Sequence, residues 1–129
     1  MKKYILISAF GMAGAICRYS IGLTLLDTFP WGTLIVNIVG CFLLPFVFIY
    51  VRERGIISEE LVIAMGTGFI GAFTTFSAFS IDCINLMLQG DYKAVFLYLF
   101  FSLAGGFAAA SVSVRMSNYM LHQYTTREE

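Results

Sequence analysis

Gly66-Thr67-Gly68-Phe69-Ile70-Gly71-Ala72-Phe73-Thr74-Thr75-Phe76-Ser77 sits inside an apolar run that begins near Leu61 and reaches Leu88. Roughly 20 apolar residues of helix cross a hydrocarbon core of about 30 Å, so the run is long enough to span a bilayer. Its glycines weaken a regular helix and let the backbone take unusual angles. Carbonyls freed at membrane depth are tolerated only where protein, water or an ion satisfies them. The stretch therefore reads as a helix broken around an ion site, or as a helix packed closely through its small residues.

The chain around it has the same character. Of 129 residues, 59% are hydrophobic and 12% charged, whereas soluble domains are about a quarter charged and under half apolar. A soluble fold of this length could not hide that much apolar surface. Charged residues divide the sequence into four segments of membrane length. The first runs from about Tyr4 to Leu25 and contains Arg18; Asp27, Pro30 and Trp31 then mark an interfacial turn. Trp31 to Val51 carries no charge and is closed by Arg52-Glu53-Arg54-Gly55. The third segment, residues 61–88, holds Asp82, and Gln89-Gly90-Asp91-Tyr92-Lys93 leads into the fourth, residues 94–114. The expected fold is all-α and integral to the membrane: one domain over residues 1–129, with four transmembrane helices, the third broken in mid-span.

Other classes fall away. The formal net charge of zero argues neither way on nucleic acid, but no basic run, zinc-type ligand cluster or phosphate-cradling glycine loop appears, which sets those classes aside. Cys17, Cys41 and Cys83 lie in apolar stretches without a pairing pattern, as small buried hydrophobes do. His122 is alone in a polar tail. No nucleophile–base pair is visible, so an enzyme is not expected. Residues 1–15 have the basic start, apolar centre and small-residue end of a signal peptide. The apolar run continues through Arg18 and Tyr19 to Leu25, which fits a retained helix better.

Four crossings put both termini on one side. Lys2, Lys3, Arg52, Arg54, Arg115 and Arg127 share that side, six residues against Lys93 alone on the other. Both termini are therefore expected in the cytoplasm.

Several residues in the spans have chemistry to offer. Arg18 and Asp82 are charges at membrane depth, where such groups usually face protein or a water-filled cavity. Arg18 can draw an anion toward a vestibule or anchor at an interface. Asn37 lies one turn after Thr33, and its amide can donate to an anion or to a neighbouring helix. Tyr98 and Ser102 place hydroxyls on one face of the fourth span. Phe76 and Phe79 share a face of the third with Asp82. Paired phenylalanines are usually packing, but their ring edges are positive and can touch an anion without binding it tightly. Ser102, Gly106 and Ala110 on the fourth span, and Gly11 and Ala15 on the first, have the spacing of close helix contacts.

Three motifs together resemble the Fluc (CrcB-type) fluoride channels over the whole length. They are Gly11-Met12-Ala13-Gly14-Ala15-Ile16-Cys17-Arg18-Tyr19, then Trp31-Gly32-Thr33-Leu34-Ile35-Val36-Asn37-Ile38-Val39-Gly40-Cys41-Phe42, and most specifically residues 68–79, ending Thr74-Thr75-Phe76-Ser77-Ala78-Phe79. The resemblance implies an antiparallel dimer in the cell membrane with two fluoride pores along the subunit interfaces, passing fluoride with no energy source coupled. It implies pore roles for Asn37, Phe76 and Phe79, and a polar track of Thr75, Ser77, Tyr98 and Ser102 beside the phenylalanines. Arg18 and Asp82 match positions near the vestibule. Gly71 and Thr74 match positions whose backbone carbonyls hold a structural sodium ion. Pro45 and Ala78 depart from the pattern: the first could kink the second span, and the second removes a hydroxyl.

An antiparallel homodimer needs one sequence to insert both ways. Six basic residues against one favour a fixed orientation, and hence a heterodimer with an inverted relative, a homodimer remaining the alternative. Two other functions compete. A non-conducting assembly subunit would explain Ala78. A small proton-coupled multidrug antiporter needs a membrane carboxylate, typically in its first span, where this chain has Arg18.

Overall fold

The computed structural model describes residues 1–25 and 29–128, the side chains of 127 and 128 excepted. Asp27, one of the expected turn markers, and the side chain of Arg127 lie outside the described residues. Four helical stretches are long and apolar enough to cross a membrane: Lys2–Thr24, Trp31–Val51, Glu59–Leu88 and Tyr92–Thr126. No strand occurs among the described residues.

The first span is one unbroken helix. It crosses the third so closely that backbones touch: a Cβ added at Gly14 would collide with the Phe69 carbonyl. The second span stays helical through Pro45, which ends nothing, and widens into a π-helical turn at Val47–Val51 just beyond it. Ser58 caps the third span by accepting from the Leu61 N–H, with Glu59 and Glu60 in the first turn, where carboxylates suit the helix dipole.

The third span is bent, as its sequence suggests, but the glycines and the break occupy different places. Around Gly66 and Gly68 the helix does not stop; it widens into a π-helix over Ala64–Ile70. The helix is interrupted directly after Phe73, where Thr74 and Thr75 are both extended (ψ of 159° and 128°). A second helix, Phe76–Leu88, then starts with the Thr75 hydroxyl accepting from the Ala78 N–H. β-Branched hydroxyl residues suit this position because their side chains compete with the helix for backbone partners.

The fourth span overruns its expected end. Its helix continues from Tyr92 to Glu128, 37 residues, or about 55 Å at 1.5 Å per residue. That is far more than a hydrocarbon core requires. It lies along the second span, pinned where the buried Ser113 hydroxyl donates to the Phe42 carbonyl at 2.6 Å.

Two small cores flank the break. Leu34, Cys83, Leu86, Val95 and Tyr98 form one, toward the 89–91 turn. Val47, Val62 and Ile70 form the other, toward the 52–58 turn. Between them, at mid-span, lie the polar residues and the opening described next.

Candidate functional site

Asn37 comes from the middle of the second span and faces the break in the third. Its Nδ2 donates to the Thr75 carbonyl at 2.9 Å, and its Oδ1 accepts from the Thr75 N–H at 2.8 Å. The Thr75 hydroxyl accepts from the Ala78 N–H and lies 3.2 Å from the Ser77 hydroxyl. Asn37 and Thr75 between them supply partners that an interrupted helix lacks.

An open groove of about 490 Å³ runs beside this junction. Asn37, Thr75, Phe76, Phe79 and Ser102 line it, together with Gly71, Thr74 and Cys41. The Phe76 and Phe79 rings stand 5.9 Å apart at 36°. Phe76 is 80% exposed, so the described residues leave most of its ring uncovered. The Ser102 Oγ is buried yet has no hydrogen-bond partner among the described residues. Apolar walls with a few polar groups and an uncompensated donor suit an occupant that accepts hydrogen bonds.

A second groove, about 290 Å³, lies on the other side of the break. Arg18, Tyr19, Thr33, Thr75 and Ala78 are among its lining residues. Thr75 thus borders both grooves. Thr33 and Asn37, one helical turn apart, open onto different ones.

The structure gathers most of the residues singled out in the sequence and separates a few. Asn37, Thr75, Phe76, Phe79 and Ser102 share one groove with Gly71 and Thr74, while Arg18 belongs to the other. Ser77 reaches the track through its contact with Thr75. Tyr98 is fully buried and lines neither groove; its hydroxyl donates to Asp82 Oδ2 at 3.1 Å, and its ring packs 5.2 Å from that of Phe79. Asp82 is therefore tied to the fourth span rather than to Arg18. Cys41 and Gly40 had carried no special weight in the sequence. The Asn37–Thr75 pairing was also missed, although a lone amide in one span and a threonine before a helix start were its available signals.

Side-chain metal ligands are not gathered anywhere among the described residues. The backbone at the break is a different matter. In a continuous helix the N–H groups of Thr75 and Ala78 would serve the carbonyls of Gly71 and Thr74. They go instead to Asn37 Oδ1 and Thr75 Oγ1. The Gly71 and Thr74 carbonyls thereby lose their regular helical donors, and hard cations take oxygen ligands of this kind.

Residues 5–114 match the family described as CrcB-like protein, Camphor Resistance (CrcB). Among similar curated proteins is Fluoride-specific ion channel FluC 1 of Bacillus cereus (strain ATCC 10987 / NRS 248), 38% identical over 98% of this chain and 96% of the relative. Fluoride-specific ion channel FluC 2 of Listeria innocua serovar 6a is 44% identical over 93% of this chain and 94% of the relative. Fluoride-specific ion channel FluC 1 of Latilactobacillus sakei subsp. sakei (strain 23K) is 45% identical over 82% and 80% respectively. With four membrane-length helices and a match to most of its length, this chain belongs to the CrcB-like family.

Proposed function

We propose that this chain is a subunit of a fluoride-selective channel, not an enzyme, and that it lets fluoride leave the cell passively through pores between two oppositely oriented subunits. The observation that carries the reading is the groove where Asn37, Phe76, Phe79 and Ser102 meet, combined with relatives named fluoride-specific ion channels. Fluoride is small and strongly hydrated, and stripping a small ion of water costs several kcal/mol even after relaxation. Compact donors and positive ring edges in a narrow passage replace that water, and chloride, larger and a weaker acceptor, gains less. A half-open groove with Phe76 80% exposed needs a second wall, and an inverted subunit supplies one.

The released carbonyls of Gly71 and Thr74 fit a structural sodium ion, whose part would be to hold the broken backbone in place. Both termini are assigned to the cytoplasm from the basic residues, six on their side and one opposite. That bias favours an inverted relative as the partner over a second copy.

Fluoride efflux from liposomes tests the reading. We expect fast efflux when this subunit is reconstituted with an inverted relative and little when it is alone. Fast efflux from the lone subunit would keep the channel and overturn the heterodimer. Silence from a folded complex would leave the non-conducting assembly role.

A further inference from the structure

Asn37 and Thr75 are 38 residues apart in sequence, yet they exchange two hydrogen bonds. The amide thereby occupies both backbone polar groups of a residue that belongs to neither half of the third span. Three neighbouring features depend on that arrangement. The Thr75 N–H cannot return to Gly71, so the helix cannot close across the break. The Thr75 hydroxyl is placed to cap the next helix, whose first residue is Phe76. Thr74 swings its methyl against the second span at Gly40, where an added Cβ would collide with it. Gly40 lies one turn beyond Asn37 toward the other core, so one strip of the second span both grips and makes room for the break.

We infer that Asn37 is a positioning residue: its amide holds the Thr75 backbone, and through it the break, so that Phe76 and Phe79 face the groove. The side-chain amide offers a donor and an acceptor on one carbon, matching the N–H and C=O of a single residue. One amide hydrogen is left over, so a direct contact with an ion is compatible with the clamp but does not replace it. Losing either bond leaves a Thr75 backbone group without its protein partner at the break.

The test is a double-variant cycle. Asn37→Leu removes both bonds while keeping the side chain's shape. A backbone ester at residue 75 removes the N–H and leaves every side chain intact. If Asn37 acts through Thr75, each change alone lowers fluoride efflux by about tenfold, and the two together lower it by less than about twofold more. Full efflux with the ester, or losses that multiply in the double variant, would overturn the inference. Amide hydrogen exchange provides a readout that does not require conduction. The Thr75 amide proton should exchange at least about tenfold faster in Asn37→Leu, and an unchanged or slower rate would overturn the clamp. The efflux arm rests on the fluoride-channel reading. Should the wild-type complex pass no fluoride, that reading fails while exchange at Thr75 still decides the clamp.

Discussion

Phe76 shows how a residue's surroundings change its meaning. Its ring is 80% exposed at the mouth of a groove, packed only from one side by Phe79, so its replacement disturbs little folded structure. Phe76→Ile should leave the melting temperature of the lone subunit within about 2 °C of wild type, as surface substitutions do, while fluoride efflux through the assembled pore falls by at least about tenfold for want of a ring edge. Unchanged efflux in liposomes would remove Phe76 from the pore. Ser102 makes the complementary case. Its Oγ is buried without a partner, so Ser102→Ala gives up no internal hydrogen bond. Stability should be unchanged or raised by about 0.5–1 kcal/mol, from relief of the desolvated hydroxyl. Efflux should drop several-fold. A denaturant titration alongside the flux assay separates the two effects.

At the scale of elements, the spans are held by a few short-range contacts rather than by a large core. Ser113 ties the fourth span to the Phe42 carbonyl at 2.6 Å, so Ser113→Ala should destabilise the fold by about 1 kcal/mol, read from thermal unfolding in detergent. Gly14 meets the Phe69 carbonyl where the first and third spans cross. Gly14→Ala should cost about 1–3 kcal/mol, because backbone on both sides leaves no side chain to move aside. That close approach was legible only in part. The small-residue spacing pointed to Gly11 and Ala15, whereas the tightest contact falls on Gly14, because the crossing point depends on the angle between helices. Likewise the glycines marked the third span as irregular, yet the helix is interrupted at Thr74 and Thr75. Glycine permits an irregular backbone, but the hydroxyls and Asn37 are what satisfy one.

For the whole molecule, two features concern the end at which the fourth helix finishes. The long fourth helix carries Tyr124 past the expected end of its span at residue 114, and the Arg54 guanidinium stacks 3.8 Å from that ring while donating to the Tyr50 hydroxyl. The turn after the second span is thereby braced against the end of the chain. The proposed topology assigns six of the basic residues to the side of the termini. We therefore expect one orientation in the cell: Lys93→Cys should react with an impermeant maleimide from outside in nearly all molecules, and a cysteine at Arg115 in almost none. Equal labelling of both positions would mean dual insertion and would favour the homodimer.

Membrane residence, the number of spans and the irregular third span follow from the sequence alone, because solvent preference and backbone permissiveness are local properties of residue types. The grouping of Asn37, Thr75, Phe76, Phe79 and Ser102 rests on the resemblance of the motifs to a known family, because helix periodicity alone pairs only residues of one span, such as Phe76 with Phe79. Tertiary structure decided which faces meet. It sent the Asn37 amide to the Thr75 backbone and buried the Tyr98 hydroxyl against Asp82. It also put Arg18 and Ser102 on opposite sides of one extended threonine. These pairings depend on the crossing angles and rotations of separate helices, which no local pattern encodes.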